Sequence, residues 1–179
     1  MHRRRFLASS AAILSSAALP LSSVHAQRCE RTEDNIEGPF FRPGAPHRTD
    51  LRAEGIRVAG TVRSAAHCGP AQGSVMEVWQ ANEAGEYDLQ TFNNRGVVFC
   101  DDQGRFDFAT VRPGHYDVGG SYRPAHIHVK VHVEGRPSLT TQLYFPNDPH
   151  QASDPWFRPS LLLRSEPHSP EHFLFDFTI

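Results

Sequence analysis

The chain has 179 residues, with 18 Lys and Arg against 20 Asp and Glu and 39% hydrophobic side chains. That balance leaves no basic patch of the kind nucleic-acid binding needs, and no apolar run is long enough to span a membrane. The first 26 residues read as a leader: Arg3-Arg4-Arg5-Phe6-Leu7 precedes a mild Ala/Ser/Leu segment, and Val24-His25-Ala26 places small residues where a signal peptidase cuts. Paired arginines, one spacer and Phe-Leu form the twin-arginine pattern rather than an ordinary Sec signal, so the protein is expected to be exported to the periplasm or beyond the cell. The leader removes three arginines and no acids, so residues 27–179 carry a net charge of −5 and form one domain with a real core.

Residues 27–50 are rich in Pro, Gly and charge and read as an irregular arm. Short strands follow. Ile56 to Val62, Ser74 to Trp79, Gly96 to Cys100 and Arg105 to Phe108 alternate apolar and polar side chains, with a turn at Asp101 to Gly104. His126 to Val133, Thr140 to Phe145 and Phe173 to Thr178 complete the set. No long helical period appears, so the expected fold is an all-β antiparallel β-sandwich with an irregular N-terminal arm and long loops.

Three cysteines, none spaced as CxxC, argue against a zinc ribbon and, in an oxidising compartment, for one disulfide and one thiol. In a sandwich Cys68, on the first hairpin loop, and Cys100, beside the turn after the third strand, share the end away from Tyr87. A Cys68–Cys100 bridge with Cys29 free is therefore expected; the alternative pairs Cys29 with one of them and pins the arm.

The densest chemical signal is Arg123-Pro124-Ala125-His126-Ile127-His128. Alternation along a strand puts His126 and His128 on one face, close enough to grip one metal ion, and Ile127, Val129 and Val131 on the other. The plain alternative is a strand with two solvent-facing histidines. Two imidazoles leave a metal under-coordinated, and Tyr87 and Tyr116 each close a turn just beyond a strand. Two phenolates with two imidazoles suit ferric iron better than zinc. His132 shares a face with His128 but lies roughly 13 Å along the strand, too far for the same ion. His115 points the other way from Tyr116 in an extended chain, and His47, His67, His150, His168 and His172 fall in polar or Pro-rich stretches and are expected at the surface.

Five segments occur in an order that resembles the intradiol ring-cleavage dioxygenases of the protocatechuate and catechol type. They are Glu37-Gly38-Pro39-Phe40-Phe41, Trp79-Gln80-Ala81-Asn82 with Gly85-Glu86-Tyr87, Pro113-Gly114-His115-Tyr116, the His-x-His segment, and Thr141 to Pro149. The resemblance implies a non-haem Fe(III) held by Tyr87, Tyr116, His126 and His128, with Tyr116 the ligand that leaves when substrate binds. It also implies Arg123 beside the bound ring, Gln142 as its hydrogen-bonding partner, and Pro39 and Phe40 at the entrance. The implied reaction cleaves a catechol-type ring between its hydroxyl-bearing carbons with O2 to a muconate-type diacid. Two features depart from well-known members: the link Asp117 to Tyr122 is short and Gly-rich, and the N-terminal helical region of catechol 1,2-dioxygenases is lacking. The competing expectation is a non-catalytic, transthyretin-like sandwich that binds a small molecule or a partner; a zinc or copper enzyme would need carboxylate or further histidine ligands that the sequence does not cluster.

Overall fold

The computed structural model describes residues 29–52 and 55–179; the expected leader, residues 1–26, lies outside the described residues. Ten strands form in chain order: β1 (Ile56–Arg63), β2 (Val75–Trp79), β3 (Arg95–Phe99), β4 (Arg105–Thr110), β5 (Tyr116–Val118), β6 (Ser121–Arg123), β7 (His126–His132), β8 (Leu139–Tyr144), β9 (Arg164–Glu166) and β10 (Ser169–Thr178). The only other regular pieces among the described residues are two 3-10 turns, Gln151–Ser153 and Pro159–Leu161. None of the described residues forms a helix long and apolar enough to cross a membrane.

Two four-stranded sheets carry the core, in orders β4-β1-β10-β9 and β3-β2-β7-β8, and β5-β6 is a separate ribbon. Every expected strand is present. The ten strands pair antiparallel with one another except β1 and β10, which run parallel with Val58 opposite Phe173 and Val62 opposite Phe177. Sequence order hides this, because β10 reaches β1 from the far end of the chain. The alternation of β1 buries Val58 and Val62 completely, and they meet Phe106, Phe108, Phe175 and Phe177 from β4 and β10. The strands β5, β6 and β9 escape sequence reading because three residues are too few to show a period of two.

β7 lies in the middle of its sheet, between β2 and β8. Ile127, Val129 and Val131 face the sandwich interior, all fully buried. The opposite face is also covered at its start: His126 is 2% exposed and His128 1%. The solvent-facing reading of the His-x-His pair therefore fails. The cover comes from the arm, which is irregular as expected yet strapped along its length. Thr32 and Asn35 donate from their backbone to Thr178 and Thr140, and Thr141 Oγ1 donates to the Glu33 carbonyl. Lys130 pairs with Glu37 and sits over the Phe41 ring.

The disulfide corrects the sequence reading. Cys29 bonds to Cys68 with a Cα–Cα distance of 5.4 Å, and Cys100 is the free thiol. One bridge and one thiol remain the right count, but the bridge pins the arm. The backbone at Cys29 donates to Ala65, so the arm passes directly beside the loop that carries Cys68. Cys100 instead packs against the core, where burial and then Asp101 push its thiol up to about 11.

Because the bridge spans 39 residues, loop-closure entropy sets its contribution at up to about 4 kcal/mol. Dithiothreitol should lower the urea midpoint of the parent chain and leave that of Cys29→Ser where it already is. Equal sensitivity of the two proteins would mean that the bridge contributes nothing to stability.

Candidate metal and substrate site

Two loops and one strand build the site. After β2, the chain turns back on itself around Asn82: its side-chain oxygen accepts from the Ala84 and Glu86 amides, and its own amide donates to the Glu86 carbonyl, each bond 2.8–2.9 Å. The turn delivers Tyr87. After β4, Pro113-Gly114 leads into Tyr116, and the Gly114 amide donates to the Asn82 carbonyl at 2.8 Å. The loops touch backbone to backbone. A Cβ at Gly114 would stand 2.2 Å from the Glu83 carbonyl oxygen, and one at Gly85 2.1 Å from that of His115. The buried Gln80 completes the clamp: its amide donates to the Val111 carbonyl and its oxygen accepts from Thr110 Oγ1. These contacts give the Trp-Gln-Ala-Asn…Gly-x-Tyr and Pro-Gly-x-Tyr segments a physical reason: they hold the two tyrosines in fixed relation.

The four candidate ligands converge. Ring centroids of Tyr87 and Tyr116 are 5.6 Å apart, those of Tyr116 and His126 5.6 Å, of His126 and His128 4.9 Å, and of Tyr87 and His128 6.2 Å. Tyr87 Oη lies 3.5 Å from His126 Nε2. His126 Nδ1 is 2.7 Å from the Pro124 carbonyl, which assigns the proton to Nδ1 and turns the Nε2 lone pair into the site. Trp79 stacks on His128 at 4.9 Å, 9° from parallel.

The electrostatics suit a bound cation. Burial, and then the positive Arg123, push His126 down to about 3, so it stays neutral with its lone pair available. Burial, and then His126, lower His128 in the same direction. Burial, and then Tyr116, hold the Tyr87 phenol well above the ordinary tyrosine range. A bound cation would invert that last tendency and favour the phenolate. No three His, Cys, Asp or Glu side chains gather as a metal cluster among the described residues. The tyrosine oxygens beside His126 and His128 are hard donors that a cation between the two imidazoles could use.

Arg123 lies over this group. Its Nη1 donates towards Tyr116 Oη at 3.3 Å and His126 Nε2 at 3.2 Å, and its Nη2 donates to Gln142 Oε1 at 2.9 Å. Gln142 is itself fixed by donating to the Ile36 carbonyl. The short link that departs from well-known members is a tight hairpin, with Gly119 and Gly120 at φ 66° and 92° in its two-residue turn. Its register sets Tyr116 directly opposite Arg123. From the arm, Phe40 stacks on Tyr87 at 4.1 Å and meets Tyr116 edge-on at 6.1 Å, while Pro39 is exposed beside it.

Three residues that matter here carried no sequence signal. Buried Arg95 donates to the Phe40 carbonyl and twice to that of Asp88, tying the arm to the Tyr87 loop. Asp154 forms a buried ion pair with Arg123, and the Trp156 ring lies 4.7 Å from the Arg123 guanidinium carbon. A Pro-rich segment after β8 gives no periodicity from which to place either. Of the other histidines, His115 pairs with Asp148, which also accepts from the Ala125 amide, and His132 pairs with Glu77. His47, His67, His168 and His172 are exposed as expected, whereas His150 is half-buried against His115. A 720 Å³ cavity between the arm and β10 contains none of the site residues; a smaller one of 230 Å³ lies behind Tyr87, lined by Asn82, Glu86 and Asn94.

A family model described as Dioxygenase matches residues 36–161, a span that holds every site residue named above. The chain is similar to the chlorocatechol 1,2-dioxygenase of Rhodococcus opacus, with 31% identity over 69% of this chain and 60% of that protein. It is also similar to the hydroxyquinol 1,2-dioxygenase of Rhizobium sp. (strain MTP-10005), with 31% identity over 74% of this chain and 54% of that protein. Among solved structures it matches the dioxygenase domain of a dioxygenase carbohydrate-binding protein fusion from the cellulolytic bacterium Streptomyces sp. SirexAA-E. That match has a TM-score of 0.77 and 40% identity, and covers 84% of this chain and 98% of that one. The chain belongs to the intradiol ring-cleavage dioxygenase family. It spans little more than half the length of the curated relatives it matches.

The loop contact is the most direct structural test of the site's frame. Gly114→Ala should cost about 1–3 kcal/mol in chemical denaturation, the scale of overpacking a closed contact, because the Glu83 carbonyl must move. Unchanged stability would show that the two tyrosine loops are not in contact.

Proposed function

We propose that this protein cleaves a catechol-type ring between its two hydroxyl-bearing carbons with O2, giving a muconate-type diacid, by means of a non-haem Fe(III). The supporting observation is two half-buried phenols and two buried, neutral imidazoles that meet edge to face beneath one arginine. A non-catalytic binding sandwich has no use for that set. Tyr87, Tyr116, His126 and His128 would hold the ion, which would act as Lewis acid and template, drawing electron density from a bound catecholate so that a ring carbon can react with O2.

The chain's own groups do the rest. A catechol that binds as a dianion sheds two protons; Tyr116, as phenolate, would take one of them and a solvent-derived hydroxide the other, leaving as water. Its place on the short ribbon, only half-buried, leaves it room to move away from the other ligands. Arg123 is permanently charged and donates into the same space, so it stabilises negative charge as it develops on the ring and its oxygens. Gln142 holds the guanidinium from behind. Phe40 walls the entrance with its face on Tyr87 and Pro39 forms the outer lip. Trp79 keeps the His128 ring from turning.

Iron analysis with visible spectroscopy tests the ligand set. Protein produced with iron available should contain one Fe(III) per chain and show the red colour of tyrosinate charge transfer; full occupancy by zinc or copper would overturn the proposal. His126→Ala should lose the metal. Tyr116→Phe should keep much of it and turn over slowly, on the order of 10²-fold or more below the parent, the range of a lost proton-transfer group. A fully active Tyr116→Phe would refute the role given to that residue.

We further propose export through the twin-arginine leader, which carries proteins across already folded and would let iron load in the cytoplasm. Supporting it are the Arg3-Arg4-Arg5-Phe6-Leu7 segment and the arm-pinning disulfide, a bond suited to an oxidising compartment. Lysine at both Arg3 and Arg4 should strand the precursor inside the cell; continued secretion would point to a Sec signal.

A further inference from the structure

An arginine has five N–H hydrogens, and a buried one is costly unless each finds an acceptor. Arg123 uses all five. Nε donates to Asp154 Oδ1 at 3.2 Å, and one Nη2 hydrogen to Asp154 Oδ2 at 2.9 Å, a side-on bidentate pair. The other Nη2 hydrogen goes to Gln142 Oε1 at 2.9 Å, with Tyr144 Oη also in reach at 3.3 Å. The two Nη1 hydrogens face Tyr116 Oη and His126 Nε2. The ion pair is closed to solvent, with side-chain exposures of 4% for Arg123 and 1% for Asp154.

Two further contacts fix the plane of the guanidinium. Trp156 lies against it, and the Trp156 amide is in turn held towards Asp154 Oδ1 at 3.5 Å. Asp154 itself caps the 3-10 turn Gln151–Ser153, and the Phe157 amide donates to its carbonyl. The aspartate is therefore the better-anchored partner. It is held by its own turn, whereas Arg123 sits at the end of the three-residue ribbon strand β6.

We propose that Asp154 is the positioning residue of Arg123: by taking the Nε and Nη2 hydrogens in a bidentate pair, it leaves Nη1 as the edge that donates towards Tyr116 and the catechol site. Without the carboxylate, Arg123 keeps Gln142 but gains a rotational freedom that Gln142 alone cannot remove. Gln142 engages a single hydrogen; Asp154 engages two on one edge and so sets the direction of the other. His126 Nε2 is a ligand in the proposed iron site. The Nη1 hydrogen that faces it is the donor left for a substrate oxygen once that lone pair is used. The inference rests on the proposed reaction only for its kinetic consequence.

The test uses iron-loaded Asp154→Asn, Asp154→Glu, Arg123→Gln and the double variant Arg123→Gln/Asp154→Asn, with crystal structures of the two Asp154 variants. Misplacing a positioned group by about 1 Å costs on the order of 10²-fold in rate. Asp154→Asn should therefore lower kcat on that scale with KM little changed. The double variant should be no slower than Arg123→Gln, because Asp154 acts only through Arg123. Asp154→Glu should restore the charge and the melting temperature, and kcat only in part. In the crystal structures Nη1 of Arg123 should leave hydrogen-bonding range of Tyr116 and His126. Multiplying rate losses in the double variant, or a parental kcat in Asp154→Asn, would overturn the inference. If Asp154→Asn does not fold, a parental kcat in Asp154→Glu overturns it. A parent chain that takes up no O2 with any catechol would sink the proposed function instead. The position of the Arg123 guanidinium in the variant crystals would still decide this inference: Nη1 unmoved rejects it, and Nη1 displaced supports it.

Discussion

Two imidazoles buried on one face of a central strand constrain most of what surrounds them. A strand between two neighbours in a sandwich sheet normally gives one face to the core and the other to solvent. β7 gives both faces to protein over its first half, and the second face carries His126 and His128 instead of apolar side chains. Burying polar rings is costly unless their nitrogens are provided for. The Pro124 carbonyl serves one nitrogen of His126, and Tyr87 and Arg123 converge on the other. His128 is held by stacking on Trp79 and by the Ile36 backbone of the arm.

The cover over that face is the arm, which carries little regular structure and is held in place from many directions. Arg95 is the clearest instance: a buried cation spends its donors on the backbone carbonyls of Phe40 and Asp88, one from the arm and one from the Tyr87 loop. An irregular segment thereby gains a fixed position without forming a strand. At its start the Cys29–Cys68 bridge fastens the arm to the loop after β1. The reach of the disulfide is thus towards the site's cover and not, as chain order suggested, between two elements of the sandwich.

The ribbon β5-β6 solves a different problem. A phenol with the departing role proposed for Tyr116 needs to be near the others yet not locked among them. Tyr116 and Arg123 form a cross-strand pair on a two-stranded ribbon outside both main sheets. Such a ribbon is only marginally stable by itself. Asp154 and Trp156, which fix Arg123, therefore also anchor one strand of the ribbon, leaving Tyr116 on the other.

The alternation of β1, β2 and β4 made the sandwich legible in the sequence, because a period of two and the turns between strands are local properties. The His-x-His spacing was equally local, and it put both imidazoles on one face. The two tyrosines were legible by resemblance, and their convergence with the histidines came from the contact of two loops that no local pattern encodes. Tertiary structure alone decided the rest. It put β10 parallel to β1, chose Cys29 rather than Cys100 for the bridge, and brought Asp154 to Arg123 across 31 residues. Each of these is a meeting of segments distant in the chain, fixed by which surfaces can be buried together, and such choices leave no periodic trace in the order of residues.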